Sequence, residues 1–249
     1  MRAVTNGGWR DRGLPELLLG LVVVAIAFVV TGFVVADAIR DVKQSRDTIK
    51  VTGSARHPIT ANLVIWHLAV DAKAEQPGEA TRLLRTRAAA VRDFLRDGGI
   101  PDSAITESTV STEETTIRIG RRRVPAFLLR QGFRVSSEEI DKVESVSAGI
   151  TDLLGRGIPV SAGELEYIST RLNDARIQAL TKAIANAQRR AETIVKGIGG
   201  ELGSVRSAQL GVYQVTPRNS TEVSDYGIND TTSRDKDVTA VVSITFAVR

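Results

Sequence analysis

The chain has 249 residues, 42% hydrophobic and 25% charged, a balance that excludes disorder over most of its length. With 2 His, 1 Met and no Cys, it cannot build thiolate zinc sites, iron–sulfur clusters, disulfides or thiol nucleophiles. Lys and Arg number 33 against 29 Asp and Glu, and a net charge of +4 spread along the chain implies no nucleic-acid partner.

Residues 1–16 read as an N-terminal tail. Residues 17–36, LLLGLVVVAIAFVVTGFVVA, carry no charge and read as a transmembrane helix. At about 1.5 Å per residue, a helix of this length spans about 30 Å, the thickness of the hydrocarbon core. Such a helix bonds all its backbone groups internally, so the bilayer tolerates it. A cleaved signal peptide is the alternative, with Ala36-Asp37-Ala38 as a small-x-small cleavage site, but the apolar run exceeds the ~7–15 residues of a signal core. Arg2, Arg10 and Arg12 precede the span, and Arg40, Lys43, Arg46 and Lys50 follow it. The flanking positive charge therefore does not decide the orientation.

Residues 37–47 are polar and form a juxtamembrane linker, and residues 48–249 form one domain. Ile49, Val51 and Gly53 mark a short strand, which leaves His57-Pro58 in a turn. Val64, Trp66, Leu68, Val70 and Ala72 alternate as in a half-buried strand. Pro77-Gly78 opens a helix with Ala80, Leu83, Leu84, Ala88, Val91, Phe94 and Leu95 on its apolar face, closed by Gly98-Gly99. Arg82, Arg85, Arg92 and Arg96 lie off that stripe, on a solvated face.

Residues 105–119, rich in Thr and β-branched side chains, read as a strand and 126–136 as its return. Between them Arg121, Arg122 and Arg123 form a hairpin tip, a candidate contact for an anionic ligand together with the arginine face of the first helix. Ser136 and Glu139 have the spacing of a capping box before a second helix that runs to Gly155. A strand over 159–170 follows. The third helix carries Ile177, Leu180, Ile184, Ala187, Ala191, Ile194 and Ile198 at steps of three and four. That seam is expected to pack on the sheet, with Ala175, Ala179, Ala183 and Ala187 allowing close approach. After a strand at 205–215, residues 216–237 read as a polar insertion, a functional or mobile loop. Val238, Ala240, Val242, Ile244, Phe246 and Val248 alternate in a closing strand. The fold class is α+β: antiparallel strands with three covering helices behind the transmembrane segment.

No catalytic, metal-binding or cofactor-binding residues emerge. His57 and His67 have no imidazole partner, and no HExxH or GxSxG occurs. The glycines at 197, 199, 200 and 203 follow a helix instead of linking a strand to one, so no phosphate loop is expected. Glu164 and Glu166 share a face of the 159–170 strand without a cleft to make them an acid–base pair. No cofactor is expected.

IKVTGSA (49–55), FLRDGGIPDSAITES (94–108), QGFRVSS (131–137), LLGRGI (153–158) and the Ala-rich stretch 173–209 together resemble the SIMPL-domain family. Its bacterial members include the periplasmic immunogenic protein and the oxidative-stress defence protein. The chain departs from the pattern at Arg56-His57-Pro58-Ile59, where the family has a Pro-Asp pair, and at the insertion 216–237. The resemblance implies a place in the cell envelope, outside the cytoplasmic membrane, and homo-oligomers, since some relatives form rings. It carries over no catalytic residue.

The expected protein is therefore single-pass and anchored in the lipid bilayer through residues 17–36, with its domain on the extracytoplasmic side. It would act without catalysis, through self-assembly or an envelope protein partner, in envelope or oxidative stress. An envelope enzyme and a lipid- or anionic-polymer-binding module are the alternatives.

Overall fold

A computed structural model describes residues 47–249. The tail 1–16, the transmembrane helix expected at 17–36 and nearly all of the linker 37–47 lie outside the described residues. No helix among the described residues is long and apolar enough to cross a membrane.

The body is α+β. Strands β1 (Thr48–Thr60), β8 (Leu202–Leu210), β9 (Gln214–Pro217), β10 (Ile228–Asn229) and β11 (Asp235–Val248) form a five-stranded sheet ordered β1-β11-β9-β10, with β8 also on β11. The second sheet has six strands: β2 (Leu63–Ala74), β3 (Ile105–Glu107), β4 (Ser111–Ile119), β5 (Arg122–Ser137), β6 (Val160–Ala162) and β7 (Glu166–Ile168). In it β2 and β5 are central, β3 and β4 flank β5, and β6 and β7 flank β2. The helices are α1 (Pro77–Asp97), α2 (Ile140–Ala148), α3 (Thr151–Gly155) and α4 (Leu172–Gly197), with a short 3-10 turn at Asp102–Ala104.

The chain divides into two compact units. The larger, Thr52–Ala187 with Leu210–Val242, holds the six-stranded sheet, α1, α2 and α3. Its core is Val64, Trp66, Leu68 and Val70 of β2, Phe133 and Val135 of β5, Leu84, Val91 and Leu95 of α1, and Val143 of α2. The Trp66 indole donates to the Gly163 carbonyl at 3.1 Å, so the largest buried side chain keeps no polar atom unbonded. The smaller unit comprises, among the described residues, 47–51, Gln188–Gln209 and Ser243–Arg249. There the Val248 N–H donates to the Asp47 carbonyl at 2.8 Å, and Glu201 and Arg249 exchange a pair of main-chain bonds.

Several sequence expectations change. β1 does not stop before His57 but runs through Pro58 to Thr60, because it is an edge strand and an edge tolerates a missing N–H. The expected strand 105–119 breaks at Ser108–Val110, and 159–170 breaks at 163–165, where the Gly163 N–H turns to the His67 carbonyl. The second helix is two pieces, α2 and α3. It starts at Ile140 without a side-chain cap, since Ser136 and Ser137 end β5 and the Ser137 hydroxyl accepts from the Glu139 N–H in a local turn. The strands are not all antiparallel: β10 pairs with β9 in parallel.

The largest change is in α4, where the expected close-approaching alanine row holds but the isoleucine seam does not. Its buried row is Ala175, Ala179, Ala183, Ala187, Ala191 and Val195, every fourth residue, whereas Ile177 is 63% and Ile184 42% exposed. The cause is close approach. A Cβ placed on Gly53 of β1 would lie 2.3 Å from the Ala183 carbonyl oxygen and 2.5 Å from the Ala187 nitrogen. Helix backbone rests on strand backbone there, so only a ridge of methyl groups fits beneath α4, and the isoleucines are left on the outer side.

Candidate functional site

Two places in the larger unit concentrate unusual chemistry. The first is a polar cluster in the segment read as an insertion. Residues 216–237 are not a free loop: they contain the end of β9, all of β10 and the start of β11. Lys236, on β11, has a side chain 3% exposed. Its ammonium donates to the Tyr167 carbonyl at 2.7 Å and to the Asp230 carbonyl, and lies 4.0 Å from the Asp230 carboxylate. Asp230 Oδ1 accepts from the Thr232 N–H and hydroxyl, while its buried Oδ2 has no hydrogen-bond partner among the described residues. Burial raises the Asp230 carboxyl, but the hydrogen bonds from Thr232 and Ser233 and the Lys236 charge outweigh it and leave the group below its ordinary value. Burial holds Lys236 below its ordinary value, with Asp230 opposing.

The cluster continues outward. The Tyr167 hydroxyl donates to Glu144 Oε1 at 2.8 Å, and Arg234 bridges Asp141 and Glu144 of α2. Burial, then the bond to Glu144, raises the Tyr167 phenol above its ordinary value. A cavity of ≈ 80 Å³ lies beside Lys236, walled by Ile59, Ile168, Leu172 and Val215. With its cation held by two carbonyls, Lys236 is fixed in place and is not poised as a nucleophile.

The second place is the β4–β5 hairpin. Gly120 and Arg121 form its two-residue turn, and Gly120 alone of the two takes a positive φ, +60°, the II′ pattern with Gly first. Arg122 and Arg123 open β5. The register sets Ile119 opposite Arg122 and Arg118 opposite Arg123. The sequence reading put Arg121, Arg122 and Arg123 together and missed Arg118. Counting back across a two-residue turn finds it. All four arginines are exposed, and Ile119 is 51% exposed.

The remaining sequence candidates are not brought together. Glu166 lies in β7 and Glu164 in the loop before it. His67 is exposed on β2, and His57 Nδ1 sits 3.1 Å from Lys182 Nζ. Two of the helix arginines are paired, Arg92 with Glu107 and Arg96 with Asp102. An open groove of ≈ 590 Å³ runs past Asn62, Glu138 and Lys142, but most of its charges pair within it, Lys142 with Glu139 and Arg234 with Asp141. No group of three or more His, Asp or Glu that could hold a metal ion occurs among the described residues.

A family model described as "SIMPL: Protein of unknown function (DUF541)" matches residues 49–246. No curated protein matches the chain. Among solved structures, similarity extends to a crystal structure of a provisionally named amidohydrolase/peptidase from Burkholderia cenocepacia. The match has 16% identity and a TM-score of 0.19, over 58% of this chain and 37% of that one. The chain thus spans little more than a third of that protein, and so low a score gives no ground for transferring its fold or its chemistry.

Proposed function

Because the chain belongs to the SIMPL family, whose function is unknown, we propose for it a role in assembly at the cell envelope in place of a chemical reaction. It is anchored in the cytoplasmic membrane through residues 17–36, with its domain on the extracytoplasmic side. It works through self-association or an envelope protein partner, in the response to envelope or oxidative stress.

The observation that supports self-association is the free edge of β4. Among the described residues β4 pairs with β5 alone, so along Ser111–Ile119 the main-chain donors and acceptors that point away from β5 are unpaired. The strand has no proline and no bulge, and its charges are confined to Glu113, Glu114 and Arg118, of both signs. An open edge of this kind is completed by a strand from another chain, and tethering to one membrane raises the local concentration at which this occurs.

Sedimentation of the full chain in detergent micelles tests the reading. The expected result is a discrete oligomer that the Thr112→Lys/Thr116→Lys variant reduces toward monomer, because charge along an edge opposes pairing. A monomer at high concentration would overturn self-association. Protease digestion of intact spheroplasts tests the anchor: the domain should be cleaved from outside and remain in the membrane fraction until then. An envelope enzyme is the other reading; its support would be turnover abolished by a change at Lys236 or Asp230.

A further inference from the structure

The hairpin tip has more charge than its structure needs. Arg118 and Arg123 face one another across the ladder, where directly opposed like charges destabilise the pair. No carboxylate among the described residues pairs with them. Glu114, on the same face of β4, is four residues back, about 13 Å along the strand. None of Arg118, Arg121, Arg122 and Arg123 has an ion-pair or hydrogen-bond partner among the described residues. A two-stranded ribbon is marginal in water by itself, so a repulsive tip is a feature retained against local stability.

We infer that this tip is a docking site for the anionic surface of a lipid bilayer, made by Arg118, Arg121, Arg122, Arg123 and Ile119. The arginines meet the phosphates of the headgroups, while their stems and Ile119 enter the interface. A soluble polyanion would use the same arginines but leave Ile119 in water. A single-stranded nucleic acid would also need stacking aromatics, and residues 110–124 contain none. Each arginine close to an anionic surface raises partitioning by about fivefold. The inference adds a second membrane contact to the proposed anchor and does not depend on it.

The chain lacks cysteine, so Ile119→Cys supplies a single site for a polarity-sensitive nitrobenzoxadiazole label. The full-length protein is reconstituted in vesicles of phosphatidylcholine, alone or mixed with phosphatidylglycerol. The expected result is a blue shift and loss of iodide quenching in the mixed vesicles only. Both should reverse at about 1 M salt, where the screening length drops to about 3 Å. Gln at the four arginines should abolish the shift, and Lys at the same positions should restore it. An Asp152→Cys label on α3 should stay unchanged. Equal emission in the two vesicles would overturn the inference, as would a shift at Asp152→Cys. So would a shift produced by an oligonucleotide in neutral vesicles but not by phosphatidylglycerol. If the Gln variant fails to fold, as judged by circular dichroism, the salt reversal decides. Flotation with neutral vesicles reads the anchor separately, so failure of the anchor and failure of the tip are distinguishable.

Discussion

Lys236 shows how a single buried charge can organise its surroundings. Its ammonium holds two carbonyls from different segments and sits beside a carboxylate with one unbonded oxygen. Lys236→Met removes the cation and leaves all three acceptors buried. Breaking a buried pair on one side costs about 3–5 kcal/mol, so the urea midpoint should fall steeply. Asp230→Asn keeps an acceptor for Thr232 and should cost less, and the double variant should cost less than the sum of the two. A Lys236→Met protein of unaltered midpoint would show the pair to be dispensable. The sequence held this residue in plain view. Lys236 has the parity of Val238, Ala240, Val242 and Ile244, so extending the alternation one step back places it on the buried face. The polarity of 216–237 concealed it, because burial of a charge depends on acceptors from elsewhere in the chain, here Tyr167. His57 makes a milder prediction. Burial, then the charge of Lys182, puts it below its ordinary value of 6.5. The unfolded chain therefore binds more protons just under that pH, and stability rises with pH through the window. An NMR titration of His57 should give a midpoint below 6.5 that Lys182→Ala raises only partway, since burial is the larger cause.

At the level of elements, α4 separates hydrophobicity from burial. The 3-4 spacing of Ile177, Leu180, Ile184, Ile194 and Ile198 is the stronger sequence pattern, yet the methyl row at every fourth residue is what the sheet accepts. Periodicity reports which residues share a face. It does not report how closely the partner backbone approaches, and Gly53, more than 120 residues away, sets that distance here. Gly53→Ala and Ala183→Leu should each destabilise by at least the ~1–3 kcal/mol typical of overpacking, because the obstructing atoms are backbone. Ile177→Ser, on the exposed side, should change stability by no more than about 0.5 kcal/mol. Thermal unfolding of the three variants checks the order, and the reverse order would return the isoleucine seam to the interface. The period-two strands β2 and β11 were legible for the opposite reason. One face of each is fully covered, so alternation and burial coincide.

The whole molecule brings these local charges into one pH profile. The alternation and helix spacing of the sequence give α+β, but not that one compact unit is assembled from three separated segments, because such pairing is non-local. Asp71, Asp102 and Asp230 all lie below their ordinary values in the fold. The hydrogen bond from Arg130 is the main cause at Asp71 and that from Arg96 at Asp102; at Asp230 burial opposes the shift and is outweighed by the bonds from Thr232 and Ser233. A carboxylate lowered in the fold contributes stability that is present above its unfolded value, about 3.9, and is lost as pH falls through the folded one. Asp102 is exposed, so solvent screens its pair and it adds little, whereas the Asp230 side chain is buried and its partners are not screened in this way. Acid also leaves 33 Lys and Arg unbalanced, which adds repulsion. Near pH 10 the buried Lys236 and the half-buried Tyr167 oppose one another. Lys236 is lowered, so the unfolded chain keeps its proton longer and stability rises with pH until the ordinary lysine value. Tyr167 is raised, so its contribution is lost as pH climbs through the folded value. The melting temperature should therefore rise slightly up to about pH 6.5 as His57 loses its proton, stay level to about 8, fall steeply below about 4, and change little toward 10. Asp230→Asn should flatten the acid limb and Asp102→Asn should not. Tyr167→Phe should leave Lys236 unopposed and turn the alkaline limb upward, and an alkaline limb that still falls in that variant would remove Lys236 from the account.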